Sequence, residues 1–526
     1  MKKSFISLLA LCTIGAELVG MSACNHFFIN NDSSIKESEV IEESLSEDSL
    51  FEESLSEESS EEETQKKELE YYFSDDGTYY LIYSLSDDGT YYIVSGFGAD
   101  TDCNVTVPAT CNDLPIKAIG AGAFKANSQL KTIVIPDGVN SIGIGAFYNC
   151  SSLTKVEIPD SVKGVGMNAF NGCKNLTEIV MPKDVVNIGA FAFGDTGYLN
   201  EESNWEDGGL YIGNYLIAVK SNVEGTFAIK KGTLRVADYA LNHCSNMEKL
   251  IIPDSVISIG INQFDGCNCL NNIAVDEDNQ NYSSWDGNLY NKDKTVLLKY
   301  ARGKRESSFL IPEGVINIED NAFMNSMLSE IIIPEGVIRI GDGAFSDCAF
   351  LTGIHLPESL IDIGCEAFID CSIITELVIP DNVINIGDRA FCNWRDLKRL
   401  VIGRSVENIG NSAFAHCNAL TKVEIPENVT SIGDSAFNCC GHLTEIVISE
   451  GTTSIGGSAF YGCENLIKVI IPASVKSIAS KTFRNCISLE SISFKGTMEQ
   501  WNAIEKKLDW HDSIAEVLCL DGTIEL

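Results

Sequence analysis

One short signature, Ala-Phe or a close variant of it, recurs fourteen times along the chain at a nearly constant interval. The phenylalanine position is occupied by Phe124, Phe147, Phe170, Phe193, Leu241, Phe264, Phe323, Phe345, Phe368, Phe391, Phe414, Phe437, Phe460 and Phe483. Most steps between copies are 23 residues, one is 22, and two are longer, at 48 and 59 residues. A period of about 20 to 50 residues is typical of solenoids, in which each repeat buries its apolar face only against its neighbours. Such chains usually work through extended surfaces.

Each repeat reads L-x-x-[IV]-x-[IL]-P-[DE]-x-V-x-x-I-G-x-x-A-F-x-x-C, and residues 153–173 are a clean copy. The alternation of apolar and charged residues before Pro159 predicts a short strand, which the proline ends because it has no N–H to donate. The V-x-x-I-G stretch predicts a second extended segment, turned by glycine, and Ala-Phe predicts a one-turn helix. The sequence therefore predicts a mainly β stack of about 14 to 16 coils spaced by about 4.8 Å, with short strands plus one-turn helices per coil.

This repeat resembles that of the BspA-like surface leucine-rich-repeat family, with the same Pro, Gly, Phe and Cys positions over residues 103–494. With its lead-in and tail, nearly all of residues 71–526 looks like this family. The resemblance implies a right-handed leucine-rich-repeat solenoid of period 23. It also implies an adhesin-like surface binding protein, without naming a ligand.

The two long steps predict insertions at about 197–235 and 276–312. A similar stretch begins at Asp207 in the first and at Asp286 in the second, and an apolar and then a basic segment follow each. We interpret both as hairpin-bearing insertions, which the BspA-like family also shows. Decoration of the solenoid and contact with a ligand both remain open as their role.

The N-terminus predicts export. Lys2 and Lys3 precede a short apolar run and then Met21-Ser22-Ala23-Cys24, which is typical of a signal peptide over residues 1–23. The residues before Cys24 resemble a bacterial lipobox, which implies cleavage before Cys24 and a lipid on its thiol. Ordinary cleavage of a secreted protein and an uncleaved anchor are the alternatives. The run is too short and too interrupted to predict a spanning helix.

Residues 24–70 are rich in serine and glutamate, and residues 32–70 carry 16 acidic and 3 basic side chains. High like charge with few apolar residues predicts a disordered, extended tether. An acidic cation sink or a bound motif are the alternatives. The whole chain carries a net charge of −38, which argues against nucleic-acid partners because the protein would repel phosphates. Membrane attachment would accordingly need the lipid.

Caps are predicted at both ends of the stack. Residues 71–102 hold two Ser-Asp-Asp-Gly-Thr-Tyr-Tyr copies, at Ser74 and Ser86, and Asp-Gly between aromatic runs predicts tight hairpin turns. Calcium at these aspartates is an alternative. Over residues 495–526, Thr497 and Gln500 form a capping-box pattern. The apolar residues Met498, Trp501, Ile504 and Leu508 predict one face of a short helix that covers the last coil, or else a partner-binding helix.

Ten cysteines occupy one fixed position, three residues after the phenylalanine position. They are Cys150, Cys173, Cys244, Cys267, Cys348, Cys371, Cys417, Cys440, Cys463 and Cys486. This regularity favours buried free thiols at an inward turn, although coil spacing would also permit disulfides. The sequence has no C-x-x-C pair with zinc spacing, and no histidine placed to activate a catalytic thiol. We expect no metal, no cofactor and no enzymatic activity.

Two outward positions on each first strand form the expected concave face. The first position alternates in charge between coils, which indicates cross-strand pairing. The second is mostly apolar, although Glu157 and Glu424 also occupy it. Its other members are the candidate binding surface: Val134, Val180, Ile251, Ile332, His355, Val378, Val401, Val447 and Ile470. An exposed apolar stripe beside charged residues is typical of a binding surface, and simple strand packing is the alternative. We therefore expect a lipid-anchored protein of the bacterial surface that binds an extracellular protein or glycan. A structural or antigenic rod without one specific ligand is the second hypothesis.

Overall fold

The computed structural model describes residues 69–526. The predicted signal peptide, Cys24 and the predicted tether up to residue 68 lie outside the described residues. Within them the fold is a β-solenoid of about 19 turns with a period of about 23 residues. The number of turns exceeds the expected 14 to 16, because the insertions and both end segments supply strands that lack the phenylalanine signature but pair with the repeats.

In each repeat, the end of the L-x-x-[IV]-x-[IL] run forms a short strand. These strands stack along the solenoid into the first-strand ladder. Its members pair in parallel, one repeat apart, as Val378 does with Val401. The ladder is divided into several sheets. Its strands are Cys103–Thr106, Leu130–Val134, Lys155–Glu157, Glu178–Val180, Gly225–Ala228, Met247–Ile252, Asn272–Val275, Ser308–Leu310, Glu330–Ile332, Ile354–His355, Glu376–Val378, Arg399–Val401, Lys422–Ile425, Glu445–Ile448, Lys468–Ile471, Ser491–Phe494 and Glu516–Cys519.

The V-x-x-I-G segment forms a second-strand ladder, also parallel, whose strands are mostly two residues long. Its longest sheet has twelve strands and runs from the second insertion to the C-terminal segment. The ladder's strands are Leu114–Ile119, Ser141–Ile142, Gly164–Val165, Asn187–Ile188, Tyr215–Val219, Arg235–Val236, Ser258–Ile259, Val296–Lys299, Asn317–Ile318, Arg339–Ile340, Asp362–Ile363, Asn385–Ile386, Asn408–Ile409, Ser431–Ile432, Ser454–Ile455, Ser477–Ile478 and Glu505–Lys506.

Three antiparallel strands cover the N-terminal end of the second-strand ladder: β1 (Leu69–Phe73), β2 (Tyr79–Leu85) and β3 (Tyr92–Ala99). The two Asp-Gly turns connect them, as expected. β3 pairs in parallel with Leu114–Ile119, which also pairs with the short strand Thr110–Cys111. The exposed edge of the first coil is thereby paired.

Both insertions carry antiparallel strands whose last member re-enters the second-strand ladder. The first contains the helix Gly197–Asn200, the 3₁₀ turn Glu202–Asn204, and strands Trp205–Glu206 and Gly209–Ile212. The second contains strands Tyr282–Trp285 and Asn288–Asn291. Each insertion interrupts both ladders, because new sheets begin after it.

The C-terminal segment contains the expected capped helix, Met498–Ala503. The Thr497 hydroxyl accepts a hydrogen bond from the Gln500 N–H at 3.2 Å, and the Gln500 side chain accepts one from the Thr497 N–H at 2.8 Å. Trp501 is buried, but Leu508 is fully exposed. The expectation that Leu508 extends the apolar helix face is wrong, because the helix ends at Ala503. The hairpin strand Gly522–Glu525 then closes the first-strand ladder.

Stacked phenylalanine rings form the centre of the core. Adjacent ring centroids lie between 4.8 Å (Phe345–Phe368) and 5.6 Å (Phe437–Phe460), close to the spacing of paired strands. The stacked row stops after Phe193, because Leu241 occupies the phenylalanine position of the next repeat. Stacking begins again at the second insertion, where Tyr300 supplies the first ring of the C-terminal series, 5.1 Å from Phe323. The buried core also divides into two clusters at this insertion.

The Ala-Phe segment is a pair of tight turns instead of the expected one-turn helix. In one coil Gly145 and Asn149 have φ of +56° and +58°, and equivalent residues of other coils also lie in the left-handed region. Two such residues within five positions stop a right-handed helix from forming. The Phe147 N–H donates to the Ala169 carbonyl of the next coil at 2.7 Å, so the turns are joined between coils as the strands are.

The glycine after each second strand is required by close packing between coils. A Cβ atom on Gly410 would lie 2.5 Å from the carbonyl carbon of Gly387 in the preceding coil. Gly410 has no positive φ, so the expected role in turning the chain does not explain it. Glycine therefore recurs at this position because a side chain there would collide with the backbone of the preceding coil.

Candidate functional site

The candidate binding residues all lie on the outer side of the first-strand ladder. The exposed members are Val134, Val180, Ile332, His355, Val378 and Val401, and the half-buried members are Ile251, Val447 and Ile470. Their immediate neighbours point inward: Leu377 is buried in the core, and Leu400 is half-buried and packs against it. The alternation follows from the two-residue period of a strand.

The ladder brings only some of these residues into direct contact with one another. Val378 is paired with Val401, Ile332 with His355, and Val447 with Ile470. Val134 and Val180 are separated by Glu157, and Ile251 lies between two alanines. The apolar surface is consequently most continuous from Ile332 to Ile470, where His355 and Glu424 interrupt it.

Ion pairs run beside this apolar stripe. Glu445 contacts Lys468 at 2.5 Å and Lys422 at 3.9 Å, and Arg399 contacts Glu376 at 3.9 Å. These are the pairs between coils that the charge alternation predicted. Since these groups lie at the surface, with only Glu445 half-buried, each pair contributes only a few tenths of a kcal/mol. Their main effect is to hold neighbouring strands in register beside the stripe.

Two sets of exposed aliphatic residues were missed by the sequence reasoning. Leu310 and Leu518 extend the outward row of the first-strand ladder and are 58% and 40% exposed. Stacking the residues before Ile311 on the other repeats would have found Leu310. A second row lies where each coil enters the second-strand ladder, and its members on four successive coils are Ile316, Ile338, Ile361 and Ile384. In these four repeats the isoleucine directly follows the valine or leucine that begins the V-x-x-I-G stretch, and this position is the sequence signal for the row.

The cysteine ladder forms one line of thiols inside the turns. Cys440 donates to the carbonyl of Phe414 at 3.3 Å, and Cys463 donates to that of Phe437 at the same distance. In one of the four coils that lack a ladder cysteine, Trp394 Nε1 donates to the Phe368 carbonyl at 2.6 Å instead. The described cysteines are free thiols. The ladder therefore satisfies carbonyl groups that would otherwise be buried without a partner.

We expect the ladder thiols to be unreactive in the folded protein. All ten ladder thiols are buried in the core, which keeps maleimide away from them. Burial also raises the pKa of Cys440 and Cys463 well above the ordinary value and that of Cys486 to about 12, so the reactive thiolate of these three is not populated. Maleimide labelling followed by peptide mass spectrometry should modify the exposed Cys269 and Cys365 first. Ladder peptides should react only in denaturant. Rapid labelling of the ladder in buffer, or ladder peptides joined by disulfides, would contradict this.

Other candidate sites have a structural explanation or are not formed. Asp76 accepts hydrogen bonds from the hydroxyls of Ser74 and Thr78, and Asp88 does the same in the second turn, so these carboxylates close their own turns. Over residues 69–526, no group of three or more His, Cys, Asp or Glu side chains is placed to hold a metal ion. In the same part of the chain, no helix has the length and apolarity that crossing a bilayer requires.

Comparison with known proteins identifies the repeat. A family model described as "BspA type Leucine rich repeat region (6 copies)" matches residues 104–224, 234–285, 302–421 and 385–503, which together are more than half of the chain. None of the curated proteins compared with the chain matches it.

Solved structures of bacterial proteins are also similar to the chain. A leucine-rich repeat protein from Bacteroides ovatus is 25% identical, with 82% of this chain and 97% of that chain covered and a TM-score of 0.38. A leucine rich cell surface protein from Faecalibacterium prausnitzii is 26% identical, with 83% and 97% covered and a TM-score of 0.31. The pneumococcal vaccine antigen PcpA is 19% identical, with 86% and 98% covered and a TM-score of 0.32.

Proposed function

Because the chain belongs to the BspA-type leucine-rich repeat family of bacterial surface proteins, we propose that it is a non-enzymatic, adhesin-like binding protein of the cell surface. Its partner is an extracellular protein or glycan. The observation that supports this most is the exposed aliphatic stripe of the first-strand ladder, with Val378 50% and Val401 38% exposed on neighbouring coils. A soluble protein gains nothing in its own core from such side chains, whereas a partner that covers them removes apolar surface from water.

The charges beside the stripe support a specific contact. Apolar residues at the centre with charged residues at the rim are the arrangement of many protein interfaces. The ion pairs between coils fix the flanking side chains, which lowers the entropy lost when a partner binds. The net charge of −38 favours partners that are neutral or basic and disfavours nucleic acid.

The binding test uses the full chain on an array of matrix proteins, mucins and glycans. Changing Val378, Val401 and Val447 to glutamate should abolish saturable binding, because three charges would have to be buried in the contact. The matched control changes three exposed residues of the second row, Ile316, Ile338 and Ile384, to glutamate. Circular dichroism of both variants should show unchanged folding.

The outcomes separate the hypotheses. Loss of binding only in the valine variant supports the stripe, and loss only in the isoleucine control places the contact on the second-strand edge. If the wild-type chain binds nothing on the array, the structural or antigenic rod is the better account.

We also propose that Cys24 carries a lipid that anchors the exported protein to the bacterial membrane, with the acidic segment as its tether. The support is the lipobox-like sequence before Cys24. A Cys24→Ala variant should lose incorporation of labelled palmitate and leave the membrane fraction. Unchanged membrane association of this variant would contradict the anchor.

A further inference from the structure

The second insertion opens a cleft of about 450 Å³ between two coils of the solenoid. One wall is the coil that carries Asn262 and Gln263, and the opposite wall is the coil that carries Glu319. The back of the cleft includes Lys299, from the strand that returns the insertion to the second-strand ladder. The volume lies within the range of small-molecule sites.

The first insertion provides an internal comparison. Its equivalent cleft is only about 160 Å³. There the Asp238 N–H donates to the Ile188 carbonyl at 2.9 Å across the gap, and the rings of Phe191 and Tyr239 meet at 6.1 Å. The two insertions therefore share one topology, but the cleft is closed in the first insertion and open in the second.

Several positions that hold apolar residues in the first cleft hold polar residues in the second. Strand pairing places Ala218 where the second insertion has Lys299, since Leu216 pairs with Val236 as Leu297 pairs with Ile318. Position in the repeat likewise aligns Phe191 with Asn262, Ala192 with Gln263, and Ala237 with Glu319. The open cleft is thus lined by groups that bind a polar ligand, and its apolar counterpart is filled by the protein itself.

Lys299 is a buried cation without a carboxylate partner. Lys299 is only 9% exposed, and its Nζ donates a hydrogen bond to the Asn321 carbonyl. Among residues 69–526, no Asp or Glu oxygen lies within the 4.0 Å of an ion pair with Lys299 or with the neighbouring Arg302. A buried charge of this kind lowers stability unless something compensates it.

Unsatisfied polar atoms are concentrated at this insertion. In the described part of the chain, six buried side-chain atoms have no hydrogen-bond partner, and four of them belong to Asn288, Tyr290, Tyr300 and Arg302. The Arg302 atom is Nε, while its Nη2 donates to Asn268 at 2.7 Å. A guanidinium with a free N–H beside an unpaired ammonium is suited to a carboxylate, which accepts hydrogen bonds from both.

We propose that this cleft binds a small organic monocarboxylate, with the carboxylate between Lys299 and Arg302 and an apolar body against Phe264, Tyr282 and Leu298. The lining contains these aromatic and aliphatic side chains as well as the polar ones. Asp265, Glu319 and Asp320 also line the cleft, so a dianion such as phosphate would meet more repulsion than a monoanion does. The site is separate from the aliphatic stripe and does not depend on the partner proposed there.

The test compares carboxylates with their neutral amides on the full chain. Phenylacetate and 4-methylpentanoate should bind saturably by calorimetry and ligand-observed NMR. Phenylacetamide and 4-methylpentanamide should bind at least about tenfold more weakly, because they leave the two cations unpaired. Equal binding of acids and amides, or no saturable binding of either acid, would overturn the proposal.

Two variants test the residues. Lys299→Met should weaken carboxylate binding at least about tenfold without loss of folding, because it removes an unpaired buried charge. Asn262→Phe should block the cleft while it keeps Lys299, and the backbone accepts the change because Phe191 has φ +52° where Asn262 has +51°. Lys220→Met, at an exposed ion pair with Glu202 in the first insertion, should bind as wild type does. Unchanged binding by both cleft variants would contradict the assignment.

Discussion

Replacing Phe414 by alanine should lower the free energy of unfolding by about 3–5 kcal/mol. The ring is fully buried, and its centroid lies 5.4 Å from that of Phe391 and 5.3 Å from that of Phe437. Alanine would leave a cavity that cannot close easily, because backbone hydrogen bonds between the turns fix the coils on both sides. One of them joins the Phe414 N–H to the Ala436 carbonyl at 2.8 Å. Urea denaturation followed by circular dichroism would measure the loss.

The control is Phe350→Ala, which removes a ring that is 54% exposed and should change stability by no more than about 0.5 kcal/mol. Because each coil contacts only its neighbours, the damage at Phe414 should also be local. Hydrogen exchange should accelerate most in the adjoining coils. Equal losses in the two variants would contradict a core built on the stacked rings.

Replacing Lys299 by methionine should stabilise the protein by about 3 kcal/mol near neutral pH. Burial, reinforced by the positive charge of Arg302, lowers the pKa of Lys299 to about 8. These effects outweigh those of Cys267 and Asp265, which raise it. The protonated side chain therefore destabilises the fold at any pH below about 8, and methionine fills similar space without a charge. Thermal or urea unfolding at pH 7 without added carboxylate would measure the gain.

The advantage of the Lys299→Met variant should shrink as the pH rises from about 8 toward the unfolded pKa of about 10.4. In this window the unfolded chain binds more protons at Lys299 than the folded chain does, so the contribution of Lys299 makes wild-type stability rise with pH. Lys220→Met, at an exposed ion pair, should show no such trend. A stability difference between Lys299→Met and wild type that stays constant over this window would mean that Lys299 is not a buried, readily deprotonated amine.

The repeat made most of the fold predictable from the sequence. Each coil meets a copy of itself, so the alternation around Val378 fixes both which residues point outward and which partner they have in the next coil. The same logic placed the ladder thiols, since a fixed spacing within a coil becomes a line along the stack. The one-turn helices were not predicted correctly, because the left-handed conformation of residues such as Glu366 and Arg389 is imposed by bonding between coils and has no clear signature in their side chains.

The cleft was not predictable because it arises where the repeat is broken. Lys299 and Asn262 are 37 positions apart in the sequence, Lys299 lies in an insertion, and Asn262 occupies a variable position of the repeat. Their proximity depends on the path of the inserted hairpin and on the absence of the bond that closes the first insertion. The similar Asp-Gly stretches predicted two equivalent hairpins, but only the structure shows that one cleft is filled and the other is open.

The most direct test of the proposed binding role is a hydrogen-exchange map of the full chain with and without the partner that the array identifies. The proposed role predicts added protection in the first strands that carry the stripe, at Glu376–Val378, Arg399–Val401 and Glu445–Ile448, with little change along the second-strand ladder. Protection confined to the two insertions or to the second-strand edge would contradict it, and would move the binding surface away from the aliphatic stripe.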